Sequence, residues 1–437
     1  MPDHLLNITA DILPSDDVLS QCIHCGMCLA VCPTYDLTKL ERSSPRGRIK
    51  MIKSVSQGEL QISDLFAEEM NFCLDCQACE TACPAGVKYG KLVESARVVA
   101  DEKFKNSSFS IRLKRFLLRK ILANKSNLKN FARFLKFYQR TFLKGFFENS
   151  GLLKIFSKNL PEISKLAPEV SDFFSDERIP EISNPPSELK YKTAFHFGCI
   201  MNVAFADINI DTIDVLKECG CEVFTPRNQA CCGSLHAHNG DIEFARKLAK
   251  RNIDSFGKRE YNYLISNSAG CGAFMKEYDY LLKDDREYSE RAKNFSEKVK
   301  DITEFLHDQV TQLNHDNINT CATYHDACHL AHSQKITKEP RELLKSIKGL
   351  ELREMEYSDV CCGSAGIYNV TRFDDSMHFL KNKIENINKT GAEIVLTGNP
   401  GCISQLIYGA KRFNSSVEVM HPVTLLKRAK VNYDSHK

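Results

Sequence analysis

The chain has 437 residues, 43% hydrophobic and 26% charged, with a net charge of +3. That balance excludes a disordered or fibrous protein and leaves room for two or three domains, each burying its own core. Nineteen cysteines, with no basic-then-apolar leader after Met1 and no run near the roughly 18 apolar residues of a spanning helix, point to a reducing, cytoplasmic setting.

Residues 1–102 carry Cys22-Ile-His-Cys25-Gly-Met-Cys28-Leu-Ala-Val-Cys32-Pro33 and, again, Cys73-Leu-Asp-Cys76-Gln-Ala-Cys79-Glu-Thr-Ala-Cys83-Pro84. Three thiolates at this spacing wrap one face of a [4Fe–4S] cube, and the fourth, stopped by proline, reaches the other cube. The crossed reading assigns Cys22, Cys25, Cys28 and Cys83 to one cluster, and Cys73, Cys76, Cys79 and Cys32 to the second. Zinc knuckles usually draw two cysteines from each of two places, and disulfides need an oxidising compartment. Apolar spacing in Arg48–Lys53 and Ile62–Met70 is helical, so this is a mainly α-helical, ferredoxin-like, two-cluster domain. The arginines of Arg42–Arg48 offset cluster charge or face solvent.

Residues 103–158 read as two basic amphipathic helices. One apolar stripe is Leu113, Leu117, Leu118, Ile121 and Leu122; the other is Leu128, Phe131, Leu135, Tyr138 and Phe142. Fifteen Lys or Arg stand here against one acid, Glu148, with ten of the 26 Phe; the segment is +14 and the rest of the chain −11. Three explanations stay open: a core-facing stripe with outward lysines, a dock for an acidic partner, or contact with an anionic membrane surface. Nucleic acid is not an expected partner. Residues 159–192, with five prolines, read as a linker or extended arm.

From residue 193 the sequence repeats. Cys199, Cys231, Cys232 and Cys271 answer Cys328, Cys361, Cys362 and Cys402 at offsets of 129, 130, 130 and 131. Strands are expected at 193–197, 221–225 and 263–266, then at 322–325, 350–355 and 393–397, with helical patterns at 241–253 and 374–387. The result is a pair of α/β Cys-Cys-Gly lobes with parallel sheets, 193–315 and 316–437, whose cysteines gather at the carboxyl ends of the strands. Four thiolates in each lobe satisfy a further iron–sulfur cluster. Gly233 and Gly363 would let the backbone approach inorganic sulfide, and helices beginning just beyond them would aim N–H groups at it. His196 and His325 precede the leading cysteines by three residues; with His236, His238, His329 and His332 they read as hydrogen-bonding groups more than ligands. Cys219, Cys221 and Cys321 have no counterpart across the repeat and read as buried fillers. No G-x-G-x-x-G loop marks a nucleotide site.

These runs, with Tyr324-His-Asp-Ala-Cys-His-Leu, Cys361-Cys-Gly-Ser-Ala-Gly-Ile-Tyr-Asn and Gly398-Asn-Pro-Gly-Cys-Ile-Ser-Gln-Leu, resemble the iron–sulfur subunits of glycolate oxidase. The resemblance implies an electron conduit with no catalytic residue of its own. It would serve FAD-containing flavoprotein subunits that oxidise glycolate, and often D-lactate, and pass electrons toward membrane quinone at the inner face of the membrane. The alternative is the iron–sulfur subunit of another Cys-Cys-Gly oxidoreductase: a D-lactate or glycerol-3-phosphate dehydrogenase, or a heterodisulfide reductase. The last departs here, because the first position of its C-x2-C pair is Ser268 in one lobe and Asn399 in the other. Each lobe is one thiolate short of a five-cysteine cluster.

Overall fold

The computed structural model describes residues 12–105, 107, 109–150, 154, 155, 157–307 and 318–434. In the N-terminal part, helices Pro45–Ser56, Asp64–Phe72 and Tyr89–Phe104 pack around Ile52, Phe66, Met70, Leu92 and Val93, all fully or nearly fully buried. Ser44 and Ser63 cap the first two by accepting from the N–H of Gly47 and Phe66. The cysteine runs lie in the loops that this core supports.

Two sheets follow. The first has strands β1 (Ile182–Ser183), β2 (Tyr191–His196), β3 (Cys221–Phe224), β4 (Tyr263–Ser266) and β5 (Val299–Asp301) in the order β1-β3-β2-β4-β5, parallel except for β1. The second has β6 (Thr320–Tyr324), β7 (Leu350–Arg353), β8 (Ile394–Leu396) and β9 (Glu418–Met420) in the order β7-β6-β8-β9, all parallel. Leaving out β1, the order is the same in both sheets, so the sequence repeat is a repeat of topology. In each lobe the leading strand sits between its two successors, and the chain reverses its winding there. That switch point is where open α/β sheets leave a crevice at the carboxyl ends of their strands. One apolar core joins the lobes: Phe195, Val223 and Ile265 of the first sheet share it with Tyr324, Leu396 and Met420 of the second.

The six expected strands are present within two or three residues at their ends; β1, β5 and β9 were not anticipated. The stretch 159–192, read as linker, holds helices Leu160–Lys165 and Ser175–Arg178 and supplies β1 to the first sheet. The two expected basic helices are three among the described residues, Phe109–Phe116 (continuing as a π-turn through Leu122), Lys125–Arg140 and Phe142–Asn149. Their stripes are only partly core. Leu118 and Leu128 are buried and Leu122 and Leu135 pack against the cluster of Leu128, whereas Leu113, Leu117, Phe131 and Phe142 face outward.

Candidate metal centres

The two N-terminal cysteine loops share one backbone shape. His24 and Gly26 flank Cys25 at φ 54° and 86°, and Asp75 and Gln77 flank Cys76 at φ 53° and 60°. Alternating right- and left-handed residues turn successive N–H groups to one side, a concave nest suited to an anion, here sulfide-bearing and thiolate-ligated. Non-glycine residues bear strain at such angles, so the shape is imposed by the loop's task. A cavity is lined by Cys22, Cys25, Cys28 and Cys83, with Cys79 on its wall. The thiols of Cys76 and Cys79 feel Cys73 and Cys32 electrostatically, so the second set also converges. Burial first, then mutual repulsion, pushes Cys76 and Cys79 well above the ordinary thiol range. Crowded buried thiols of this kind suit a cation that takes the place of their protons, and an all-sulfur donor set suits iron. Arg48 is fully buried beside this second set, donating to the Glu69 carbonyl at 2.8 Å and to Thr34 Oγ1 at 3.1 Å. Its charge would offset that of a cluster held there, though it also lies 3.8 Å from Glu69, with which Arg42 pairs; Arg46 pairs with Glu41.

Each lobe brings its four cysteines together after three parallel strands. Cys199, Cys231, Cys232 and Cys271 interact as one group, as do Cys328, Cys361, Cys362 and Cys402. Gly233 and Gly363 have φ 98° and 87°. A Cβ at Gly233 would lie 3.2 Å from the Phe274 ring, and one at Gly363 would lie 2.8 Å from the Ser376 carbonyl oxygen. These glycines thus take the positive φ expected of them and also permit close packing on neighbouring helices. A helix does begin just beyond Gly233, but it is one turn, Ser234–Ala237, and after Gly363 none begins before Tyr368; the N–H of Gly363 nonetheless donates to Cys361 Sγ at 3.4 Å. Cys219 and Cys221 are buried fillers in the shared core, while Cys321 is only partly buried.

The histidines do mainly what was expected. His196 Nε2 lies 3.1 Å from the Ala230 carbonyl, His325 Nδ1 3.0 Å from that of Ser358, and His332 Nε2 3.1 Å from that of Asp359. Sequence reasoning missed the junction around Asp75. This carboxylate lies 3.4 Å from Arg97 and 3.2 Å from His238, and its own carbonyl faces His329 Nε2 at 3.0 Å. His238 also reaches Glu94 at 2.8 Å and stacks on His329 with ring centroids 5.3 Å apart. One residue between two cluster cysteines thus ties both lobes to the N-terminal domain. Only the matched left-handed positions of the two loops could have hinted at it.

The second lobe is nearer still. Cys76 and Cys361 belong to one apolar cluster with Phe72, Leu74, Tyr368 and Phe379, and Cys328 packs against it.

The chain is thus an iron–sulfur protein. Residues 18–87 match the 4Fe-4S dicluster domain, and residues 193–276 and 322–407 match the cysteine-rich domain twice over. Residues 112–167 match the linker region of the glycolate oxidase iron-sulfur subunit. The chain is 36% identical over 94% of its length, and 94% of the relative's, to the probable glycolate oxidase iron-sulfur subunit of Bacillus subtilis. The glycolate oxidase iron-sulfur subunit of Escherichia coli is 29% identical over 96% of both chains. Lactate utilization protein A of Bacillus subtilis is 30% identical over 54% of this chain and 98% of that protein. The chain belongs to the family of glycolate oxidase iron–sulfur subunits.

Proposed function

We propose that this chain is the electron-transfer subunit of a flavin-dependent 2-hydroxy-acid dehydrogenase, acting on glycolate or D-lactate through a partner flavoprotein and delivering electrons toward membrane quinone. The observation that carries the reading is the succession of thiol sites from the N-terminal loops to the second lobe. Cys25 is exposed at one edge, Cys76 is buried within, and Cys361 and Cys328 share the wall of Cys76. Bound clusters supply one-electron acceptance and release, so a two-electron donor can be emptied in two steps. The sixteen cysteines Cys22, Cys25, Cys28, Cys32, Cys73, Cys76, Cys79, Cys83, Cys199, Cys231, Cys232, Cys271, Cys328, Cys361, Cys362 and Cys402 are the ligands in this reading, four to a site.

The chain's own residues do the rest. Burial of Cys32, Cys76 and Cys79 excludes water, and Arg48 compensates negative charge. Ile23 and Met27, 68% and 58% exposed around Cys25, offer an apolar rim to the flavoprotein where the first site comes nearest to solvent. The outward-facing Phe131, Phe134, Phe137 and Phe142 suit a membrane surface. Arg112, Lys120 and Lys144, without ion-pair partners among the described residues, favour an anionic one, while the net negative remainder of the chain sets its orientation. Among the described residues no helix is long and apolar enough to cross a membrane.

The test is reduction of anaerobically prepared, iron-replete chain by a hydroxy acid. Visible cluster absorbance is expected to bleach when glycolate or D-lactate is added with the flavoprotein, and to persist when either is omitted. Release of thiol from a heterodisulfide by the chain alone would overturn the reading.

A further inference from the structure

We propose that His325 Nε2 is a nitrogen ligand of the centre in the second Cys-Cys-Gly lobe, whereas the first lobe's centre is held by sulfur alone. The inference rests on the reading that the lobes hold iron–sulfur centres, and it separates two sites that the repeat makes look equivalent.

The geometry is local. A ring nitrogen of His325 and the sulfurs of Cys362 and Cys402 lie within 4.8 Å of one another, and all three residues are buried. The ring is fixed from behind: Nδ1 is 3.0 Å from the Ser358 carbonyl, which can only accept, so Nδ1 carries the proton. Nε2 then holds a lone pair. It is fully buried and has no hydrogen-bond partner. A satisfied core histidine would have used that lone pair, since a buried acceptor left alone costs about 1–3 kcal/mol. An imidazole whose far nitrogen donates to a backbone carbonyl while the near one faces thiolates has the usual posture of a metal-bound histidine.

Two further residues hold this posture. The N–H of His325 donates to the Leu396 carbonyl at 2.9 Å, continuing the bonding between β6 and β8, so the residue cannot slide along its strand. Lys383, itself buried, donates from Nζ to the carbonyls of Tyr357 and Ser358 and so anchors the acceptor that orients the ring.

The first lobe shares the unpartnered nitrogen but differs in geometry. His196 turns Nε2 to the Ala230 carbonyl at 3.1 Å, leaving Nδ1 as the unpartnered nitrogen. Among the described residues no pair of thiols converges on it as Cys362 and Cys402 do on His325. Where the second lobe has Lys383, the first has Asn252, which accepts from the N–H of Ala230 and donates to the Cys231 carbonyl. Coordination at His325 needs no electron or proton beyond the lone pair itself. Bound in place of one of the lobe's four thiolates, the neutral imidazole leaves the centre one charge less negative and raises its reduction potential, as at iron held by histidine in place of cysteine.

The test is pulsed electron paramagnetic resonance of the full chain, made anaerobically with heavy-nitrogen histidine and reduced, alongside iron analysis. A directly bonded histidine nitrogen coupling is expected in the wild type and in His196→Asn, and is expected to vanish in His325→Asn. His325→Cys is expected to keep its iron and to lower one midpoint potential. Absence of the coupling in wild-type chain whose iron exceeds the content of the dicluster domain would overturn the ligand, as would its survival in His325→Asn. Iron no higher than the dicluster content would instead bring down the reading of the lobes beneath it. Should His325→Asn not fold, the labelled wild type and His196→Asn decide the matter.

Discussion

Asp75 occupies a position with two duties, shaping a cluster loop and pinning a domain junction, and its partner His238 shows how strongly the second is held. Burial disfavours the charged imidazole, but the carboxylates of Asp75 and Glu94, 3.2 and 2.8 Å from Nδ1, outweigh it and push His238 up to about 10. A histidine raised in this way stabilises the folded protein fully below its ordinary pKa of about 6.5, and the contribution is lost as pH rises through about 10. His238→Gln is therefore expected to lower the melting temperature at pH 7 and to flatten its decline between pH 7 and 10. Removing one member of a buried pair costs about 3–5 kcal/mol, and a melting series across pH checks the size and sign. This junction was not legible in the sequence. Asp75 and His238 are 163 positions apart, and neither belongs to a spacing that chemistry demands. The cysteines were legible because iron dictates their intervals.

The helix Lys125–Arg140 shows why a stretch of sequence can be read correctly as amphipathic and still be misplaced. Leu128 and Ala132 enter a small core with Val170, Phe174 and Val203. Lys129, Arg133, Lys136 and Arg140 turn to Asp176, Glu177 and Asp172, so much of the local positive charge is answered by the arm that follows. What remains outside is aromatic, with Phe134 68% exposed. Periodicity finds a stripe, but two faces of this helix are apolar and only tertiary packing tells which is covered. Replacing Phe131, Phe134 and Phe137 together by Ser is expected to leave the melting temperature nearly unchanged. Retention on vesicles of phosphatidylcholine and phosphatidylglycerol should fall several-fold, as read by flotation. Strands show the complementary limit: β2, β3, β4 and even the three-residue β8 (Ile-Val-Leu) stood out by their apolar runs, whereas β1 has only two residues and β5 (Val-Lys-Asp) and β9 (Glu-Val-Met) are interrupted by charge.

Across the whole molecule, the thiol sites double as packing. Cys76 and Cys361, ligands in the proposed reading, are also apolar wall, and Cys328 lies against them. Stripping the iron anaerobically with a chelator is expected to loosen the contact between the N-terminal domain and the second lobe. Faster proteolysis, reversed on reconstitution with iron and sulfide, would register it. The fold class and the repeat were legible in full, since matched offsets and alternating elements leave few topologies. How the domains meet was not, because docking depends on single residues such as Arg97, which donates to the carbonyls of Met70, Cys73 and His238 at 2.6–3.1 Å.

The matched loops around Cys25 and Cys76 have a consequence for anyone who would swap them. They bend alike and share one cysteine spacing, yet His24 sits at an open margin where Asp75 sits at a crossroads. Grafting the first loop's sequence onto the second would preserve a cage for metal while severing the fastening between the molecule's parts. Two loops with one cysteine spacing are, in the folded molecule, an open edge and a keystone.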